Sequence, residues 1–349
     1  MKFSIWLFVR FITITSILCI NLLAVSNDSQ ETYVTSSGKT FTPKSYYPKW
    51  GWDTVKEYKM LYSEKTLTDT QVVKIAGLSD FICIEKAHGI HTFKCAMLGT
   101  KHEVARFKKV NPGIKTLFYF NSAFAWPYTS YTKAIPTWSE QKKTDILLKD
   151  YKTGKYAKFL NNYVFDIIKS PMRTWWSDTV SEAVSESHAN GLFWDQTHGV
   201  IWMRPKSEKN QIQPAQIKLL KSTKEKLGEN SILVVNNAAD ISDYVSNCDA
   251  VMYEHYGMDK RYKINRQLFV KDWDQMLKVA NMGKINIYRM TPLSFVPHDQ
   301  SPVNKASLAN RKKDSKYADN YTRKLIPFPL ACYLMGVQPY SYFMYGLGW

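Results

Sequence analysis

Eight apolar runs of strand length, at residues 60–62, 81–84, 116–120, 191–194, 232–235, 250–253, 285–288 and 340–345, punctuate this chain of 349 residues. Helix-like segments lie between most of them. Thr68 to Gln71 reads as a capping box that opens the first, Pro171 stands in the first turn of a helix over 172–187, and 214–227 and 273–282 are amphipathic. Such alternation predicts a parallel sheet with helical crossovers, either a (β/α)8 TIM barrel or a doubly wound open sheet. The residues that follow the runs choose between the two. Glu85, Asn121, Asp195, Asn236, Glu254 and Arg289 each stand at the C-terminal end of a different run. A barrel gathers those ends at one mouth, whereas an open sheet strings them along an edge, so their polar character favours the single-domain barrel. The chain stops at Trp349, just after the eighth run, which predicts a barrel without its last closing helix.

A content of 45% hydrophobic and 14% aromatic residues suits a large core and excludes a disordered or disulfide-dependent miniature protein. No repeat, low-complexity tract or flexible linker divides the chain, so one barrel domain is expected over 46–349, after an N-terminal extension over 27–45. The first 26 residues have the layout of a secretory signal peptide: Lys2 and Arg10, an apolar stretch over 11–23, then Ala24-Val25-Ser26 ahead of a cut before Asn27. A secreted, periplasmic or cell-envelope protein follows, and only an uncleaved segment would tie it to a membrane. Leu18, just before Cys19, argues against a lipid-modified cysteine. Cys83, Cys95, Cys248 and Cys332 permit one or two disulfides in an oxidising compartment, with no pairing selected, and their wide spacing does not make a zinc site. The formal net charge is +17, of which +15 lies beyond residue 26. The lysines are scattered and accompany no recognition motif, so no nucleic-acid partner is expected and a solvated basic surface is the plainer reading.

Two carboxylates at a barrel mouth can split a glycosidic bond: one protonates the leaving oxygen while the other attacks the sugar or activates water from the opposite side. Asp195, which ends the run Gly-Leu-Phe-Trp-Asp, and Glu254, which follows Met-Tyr, supply such a pair. The plainer reading of each is a helix-start cap or an ion-pair partner.

The order and spacing of the motifs also carry a resemblance. The stretches Tyr46-Tyr47-Pro48-Lys49-Trp50-Gly51-Trp52-Asp53, Ile84-Glu85-Lys86, Phe165-Asp166-Ile167 with Pro171-Met172-Arg173-Thr174-Trp175-Trp176, Gly191-Leu192-Phe193-Trp194-Asp195 and Met252-Tyr253-Glu254 resemble glycoside-hydrolase-like family fifteen. That family groups barrels related to polygalactosaminidases and α-galactosidases. The resemblance runs from about Tyr46 to Tyr345, with Trp194 standing where a smaller apolar residue is commoner. It implies cofactor-free hydrolysis of O-glycosidic bonds in a poly- or oligosaccharide, with Asp195 as nucleophile, or as base in an inverting reaction, and Glu254 as acid.

Other residues at the run ends are weaker candidates. Glu85 can bind a sugar hydroxyl or tune the pair, or simply pair with Lys86. Asn121 and Asn236 offer a donor and an acceptor to hydroxyls, or form turns. Arg289 can neutralise an acidic substituent or position Asp195, or make a structural salt bridge. His198 and His255 can line the site, with surface loop roles as the plainer reading. Sugar rings stack their C–H faces on flat side chains, which makes Trp126, Tyr128, Tyr131, Trp202, Tyr253 and Tyr256 candidate contacts, though part of them will be core or rim packing. The long segment over 121–164 is the expected specificity loop. Glu85, His88 and His91 have ligand-capable types, but Gly89 interrupts any helical spacing and no metal is expected. Nor is a cofactor expected, since the chain carries no Gly-x-Ser-x-Gly elbow, phosphate-binding loop, dinucleotide fingerprint or His-Glu-x-x-His helix. The basic balance predicts that an anionic glycan is favoured. The rival reading is a non-catalytic barrel that binds glycans at the cell envelope, and retention of both carboxylates favours the enzyme.

Overall fold

All eight apolar runs become strands of one parallel sheet, in the order of the chain: β1 (Tyr58–Leu61), β2 (Phe81–Ile84), β3 (Lys115–Asn121), β4 (Gly191–Asp195), β5 (Ile232–Asn236), β6 (Ala250–Tyr253), β7 (Ile285–Met290) and β8 (Ser341–Tyr345). The computed structural model describes residues 31–197, 200–259, 264–290 and 323–346, so the proposed signal segment and His198 lie outside the described residues. β8 returns to the segment before β1 through one parallel bridge between Glu57 and Phe343, and the Phe343 N–H donates to the Lys56 carbonyl at 2.8 Å. The sheet thereby closes into a (β/α)8 barrel.

Helices α1 (Asp69–Leu78), α2 (Ala96–Val110), α3 (Ser170–Ser187), α4 (Lys209–Leu227), α5 (Ser242–Ser246), α6 (Arg266–Asn281) and α7 (Pro327–Gly336) lie between the strands. At α1 the expected capping box forms: the Thr68 side chain accepts from the Gln71 N–H while the Gln71 side chain accepts from the Thr68 N–H. Helix α4 begins earlier than Pro214 suggests, and Pro214 sits in its second turn, where the missing N–H forfeits one backbone bond. Helix α6 also begins before residue 273, because Asn265 caps it by accepting from the N–H groups of Gln267 and Leu268.

Alternation along each strand sends one set of side chains into the lumen and the other against the helices. Tyr58, Cys83, Tyr119, Phe193, Val234 and Met252 belong to the inner set. Phe120, Leu192, Trp194, Val235, Tyr253 and Tyr288 belong to the outer one. Trp194 is therefore a packing residue: its ring lies 4.8 Å from that of Trp176 on α3. Gly191 is required where β4 meets β5, since a Cβ there would lie 1.9 Å from the Ile232 carbonyl oxygen. Cys83 faces the lumen while Cys248 and Cys332 lie in the outer shell, so a disulfide between the two groups would have to cross the sheet, and all four described cysteines are free.

The base of the barrel is plugged by the N-terminal segment. A hairpin pairs Tyr33–Val34 with Thr40–Phe41, Tyr33, Tyr47 and Trp50 join the inner core, and the Trp50 indole donates to the Ser341 carbonyl at 2.9 Å. Residues from Tyr33 onward thus form one compact unit with the barrel. Asp249 fastens this plug: it accepts from Lys44 at 2.7 Å, Tyr46 at 2.8 Å, Lys224 at 2.7 Å and the Leu233 N–H at 3.0 Å. After β3 a long excursion carries two short helices, Ser130–Lys133 and Glu140–Ile146, and a hairpin of Lys158–Phe159 with Asn162–Tyr163. Buried Asp166 anchors its return through Arg204 at 2.7 Å and Lys169 at 3.2 Å, which gives the Phe165-Asp166-Ile167 motif a structural role.

Candidate active site

The period of two that fills the lumen also places the strand-end polar residues. In β4, Leu192 and Trp194 face outward and Phe193 inward, so the next inward position is Asp195. By the same count Asn121 on β3, Asn236 on β5, Glu254 after β6 and Arg289 on β7 turn toward the mouth, and Glu85 does so one residue past β2.

Asp195 accepts four hydrogen bonds. Its Oδ1 takes the Gln196 N–H at 2.8 Å and the Asn236 amide at 3.0 Å; its Oδ2 takes the Asn121 amide at 2.9 Å and the Tyr119 hydroxyl. Burial and the charge of Asp195 both push the Tyr119 phenol well above its ordinary range, so it stays protonated and remains a donor. Glu254 Oε2 accepts the same Asn236 amide nitrogen at 2.7 Å and the Asn237 amide at 3.2 Å, while Oε1 faces Arg289 at 3.5 Å. One nitrogen touches both carboxylates, so those two oxygens are no farther apart than the two bonds laid end to end. Gln196 and Asn237, just past the ends of β4 and β5, hold positive φ angles of 61° and 55°, which turns the chain sharply away from the mouth.

Asn121 combines both roles expected of it. Its Oδ1 accepts the N–H groups of Ala123 and Phe124, forming a turn, while its amide holds Asp195. Glu85 is 1% exposed and is paired with Lys86 through Oε1; its Oε2 has no hydrogen-bond partner. Burial raises its pKa and nearby Asp195 adds to the rise, against the pull of Lys86. Burial also holds His255 below its ordinary value, with Arg289 adding to this and Glu254 opposing it. The His255 ring sits 3.9 Å from Glu254. On that flank Asn237, Tyr253, His255 and Asp272 line a pocket, and burial pushes the Asp272 carboxyl up to about 6.

Trp126 and Tyr128 line a cleft with Lys86 and Asn121, whereas Tyr131 packs against the core. Tyr256 is a correction. It is wholly buried in the outer shell, where its hydroxyl donates to the Cys332 carbonyl at 3.0 Å and accepts from the Trp273 indole, so it contacts no substrate from there. Glu85, His88 and His91 are dispersed: His88 is buried against Glu103 at 3.1 Å and His91 pairs with Glu64 on the surface. Among the described residues no group of three or more His, Cys, Asp or Glu could hold a metal ion.

Sequence reasoning missed Tyr119, Lys86 and Asn237 at the mouth. Alternation within β3 was the signal available for Tyr119, since it shares the inward face with Asn121. Lys86 sits 5.0 Å above the Tyr119 ring and 6.0 Å above that of Trp126, joining the cleft to the carboxylates.

Among solved structures, the glycoside hydrolase domain of PelA from Pseudomonas aeruginosa is similar, with 12% identity and a TM-score of 0.52, over 84% of this chain and 95% of that one. A variant of that domain matches with 11% identity and a TM-score of 0.53 over the same shares. At such identities the likeness speaks for the barrel fold alone. No curated protein matches the chain. A family model described as hypothetical glycosyl hydrolase family 15 matches residues 108–349. That match covers well over half of the chain, from the end of α2 through the last strand and with both carboxylates inside it, and the chain belongs to hypothetical glycosyl hydrolase family 15.

Proposed function

We propose that this protein is a retaining glycoside hydrolase in which Asp195 is the nucleophile and Glu254 the acid and base. The observation that carries this reading is the single Asn236 amide nitrogen shared by the two carboxylates, at 3.0 and 2.7 Å. A shared donor draws the facing oxygens of the pair together, which favours the about 5 to 5.5 Å carboxyl spacing of retaining enzymes over the about 6.5 Å and more of inverting ones. In the first step Glu254 gives its proton to the glycosidic oxygen while Asp195 attacks the anomeric carbon; the C–O bond breaks and a glycosyl-aspartate ester forms. Water then attacks the same carbon, Glu254 takes its proton and the ester bond to Asp195 breaks. Asn236, which contacts both carboxylates, keeps them in register through both steps. Product sampled early by NMR keeps the anomeric configuration of the substrate; an inverted product would refute the retaining assignment.

The substrate is a carbohydrate, and we propose an anionic one. Support comes from the +15 balance beyond residue 26 and from Lys86 and Arg289 at the mouth. Its affinity falls as added salt screens those charges, and an affinity unchanged from low to high salt would reject the idea. Export through the N-terminal segment is a further part of the proposal. Mass spectrometry of material from the medium or periplasm should find Asn27 at the N-terminus, and an intact Met1 there would overturn it.

A further inference from the structure

We infer that the cleft continues outward into a distal subsite on Trp202, and that the substrate is therefore a chain of several sugars rather than the one at the carboxylates alone. The inference rests on the glycosidase reading and deepens it by naming substrate length. From Asp195 the path runs through Asn121, bonded at 2.9 Å, into the cleft that Lys86, Phe124, Trp126 and Tyr128 line. Phe124 is the buried hub. Its ring lies 5.9 Å from that of Trp126 inside the cleft, 4.6 Å from Phe159 in the excursion hairpin, and 6.5 Å from Trp202 outside.

Trp202 is 61% exposed although its ring lies beside this hub, tilted at 48° to Phe124, so much of the indole stays open to solvent. An indole left in water at the end of an aromatic path suits the C–H face of a sugar ring, which is apolar on its face and polar at its rim. The tip of the hairpin that also packs on Phe124, through Phe159, has a related character. Leu160, next to Phe159, is 71% exposed and holds a φ of 46°, a conformation that a branched residue rarely adopts. Trp126 and Trp202 neighbour Phe124 separately, so a single sugar stacked on Trp126 is not thereby stacked on Trp202, and a chain of sugars can use both.

The test uses the Asp195→Asn protein, which cannot consume its ligand, in affinity electrophoresis through gels cast with amylose, chitosan or polygalacturonate. At least one polymer retards it, and adding Trp202→Ala raises the apparent dissociation constant for that polymer about tenfold, while Trp202→Phe restores most of the retardation. An unchanged melting temperature shows that the fold is intact. Retardation by none of the three polymers, or equal retardation with and without Trp202, would overturn the inference. The glycosidase reading is judged separately, by whether the wild type releases reducing ends from any of these polymers.

Discussion

Glu85 at the mouth and Asp249 at the base are both buried carboxylates in one barrel, yet their proton affinities move in opposite directions. Burial pushes each one up. At Asp249, Lys224, Lys44 and the Leu233 N–H outweigh that push and hold the group below its ordinary 3.8. At Glu85 only Lys86 answers it, Asp195 adds repulsion, and the group rises above its ordinary 4.5. The network on Asp249 is satisfied and fastens the plug. The mouth leaves buried polar atoms of Glu85, Trp126 and Asn236 without partners. A barrel can bear such unmet demand at the C-terminal strand ends because its layered lumen and its base supply the stability.

The largest effects should separate the two ends. Asp195→Asn should lower turnover by several orders of magnitude, even toward an activated substrate, with a melting temperature close to wild type. Asp249→Ala should do the reverse. It leaves Lys224 and Lys44 facing a vacated site and costs about 3 kcal/mol, the low end for a broken buried pair because both lysines keep some water. Denaturant unfolding checks the second figure, and a stable Asp249→Ala protein would erase the contrast. Glu254→Gln should lose about 10²- to 10⁴-fold on substrates with poor leaving groups while sparing the first step with activated ones. Burst kinetics with an aryl glycoside decides this. If instead Glu254→Gln were dead on the activated substrate and Asp195→Asn nearly wild type, the roles would be exchanged.

Tyr119→Phe sharpens the comparison at one atom. The Tyr119 hydroxyl donates to Asp195 from inside the lumen, so its loss should cut kcat by about tenfold or somewhat more, with KM little changed. The smallest effect is in the pH dependence of stability. Glu85 has a raised pKa, so its contribution is fully present below about 4.5 and is lost as pH rises through the folded value; wild type should lose ground to Glu85→Gln on going from acid to neutral pH. Asp249 has a lowered pKa, so its contribution is present above about 3.8 and is lost as pH falls through the folded value; wild type should lose its advantage over Asp249→Asn only in acid. Parallel unfolding series at several pH values would expose a mistake in either sign.

Much of this arrangement was legible in the sequence because a strand buried on both faces is apolar along its length and its first polar residue marks the mouth. That rule found Asp195, Glu254, Asn236 and Asn121. It failed at Tyr256, where an aromatic beside a candidate acid proved to be shell packing, because one position along a turn changes which side of the sheet a ring meets. It also overlooked Tyr119, whose aromatic ring reads as core while its hydroxyl alone serves the site. The role of the segment before residue 46 was hidden too. Nothing local in Tyr33 or Lys44 reveals that partners such as Trp50 and Asp249 wait at the base, some of them some two hundred residues away.

The single bridge between Glu57 and Phe343 has a consequence for how the chain comes to be folded. A ring has no edges only once its last member arrives. Until residues 341–345 are in place, β1 and β7 present bare backbone donors and acceptors of the kind that recruit strands from other chains. The clasp joins positions almost three hundred residues apart, so it is among the last contacts that can form and among the slowest to find. Loss of a few residues at β8 would therefore act like opening a seam, and it would show first as aggregation.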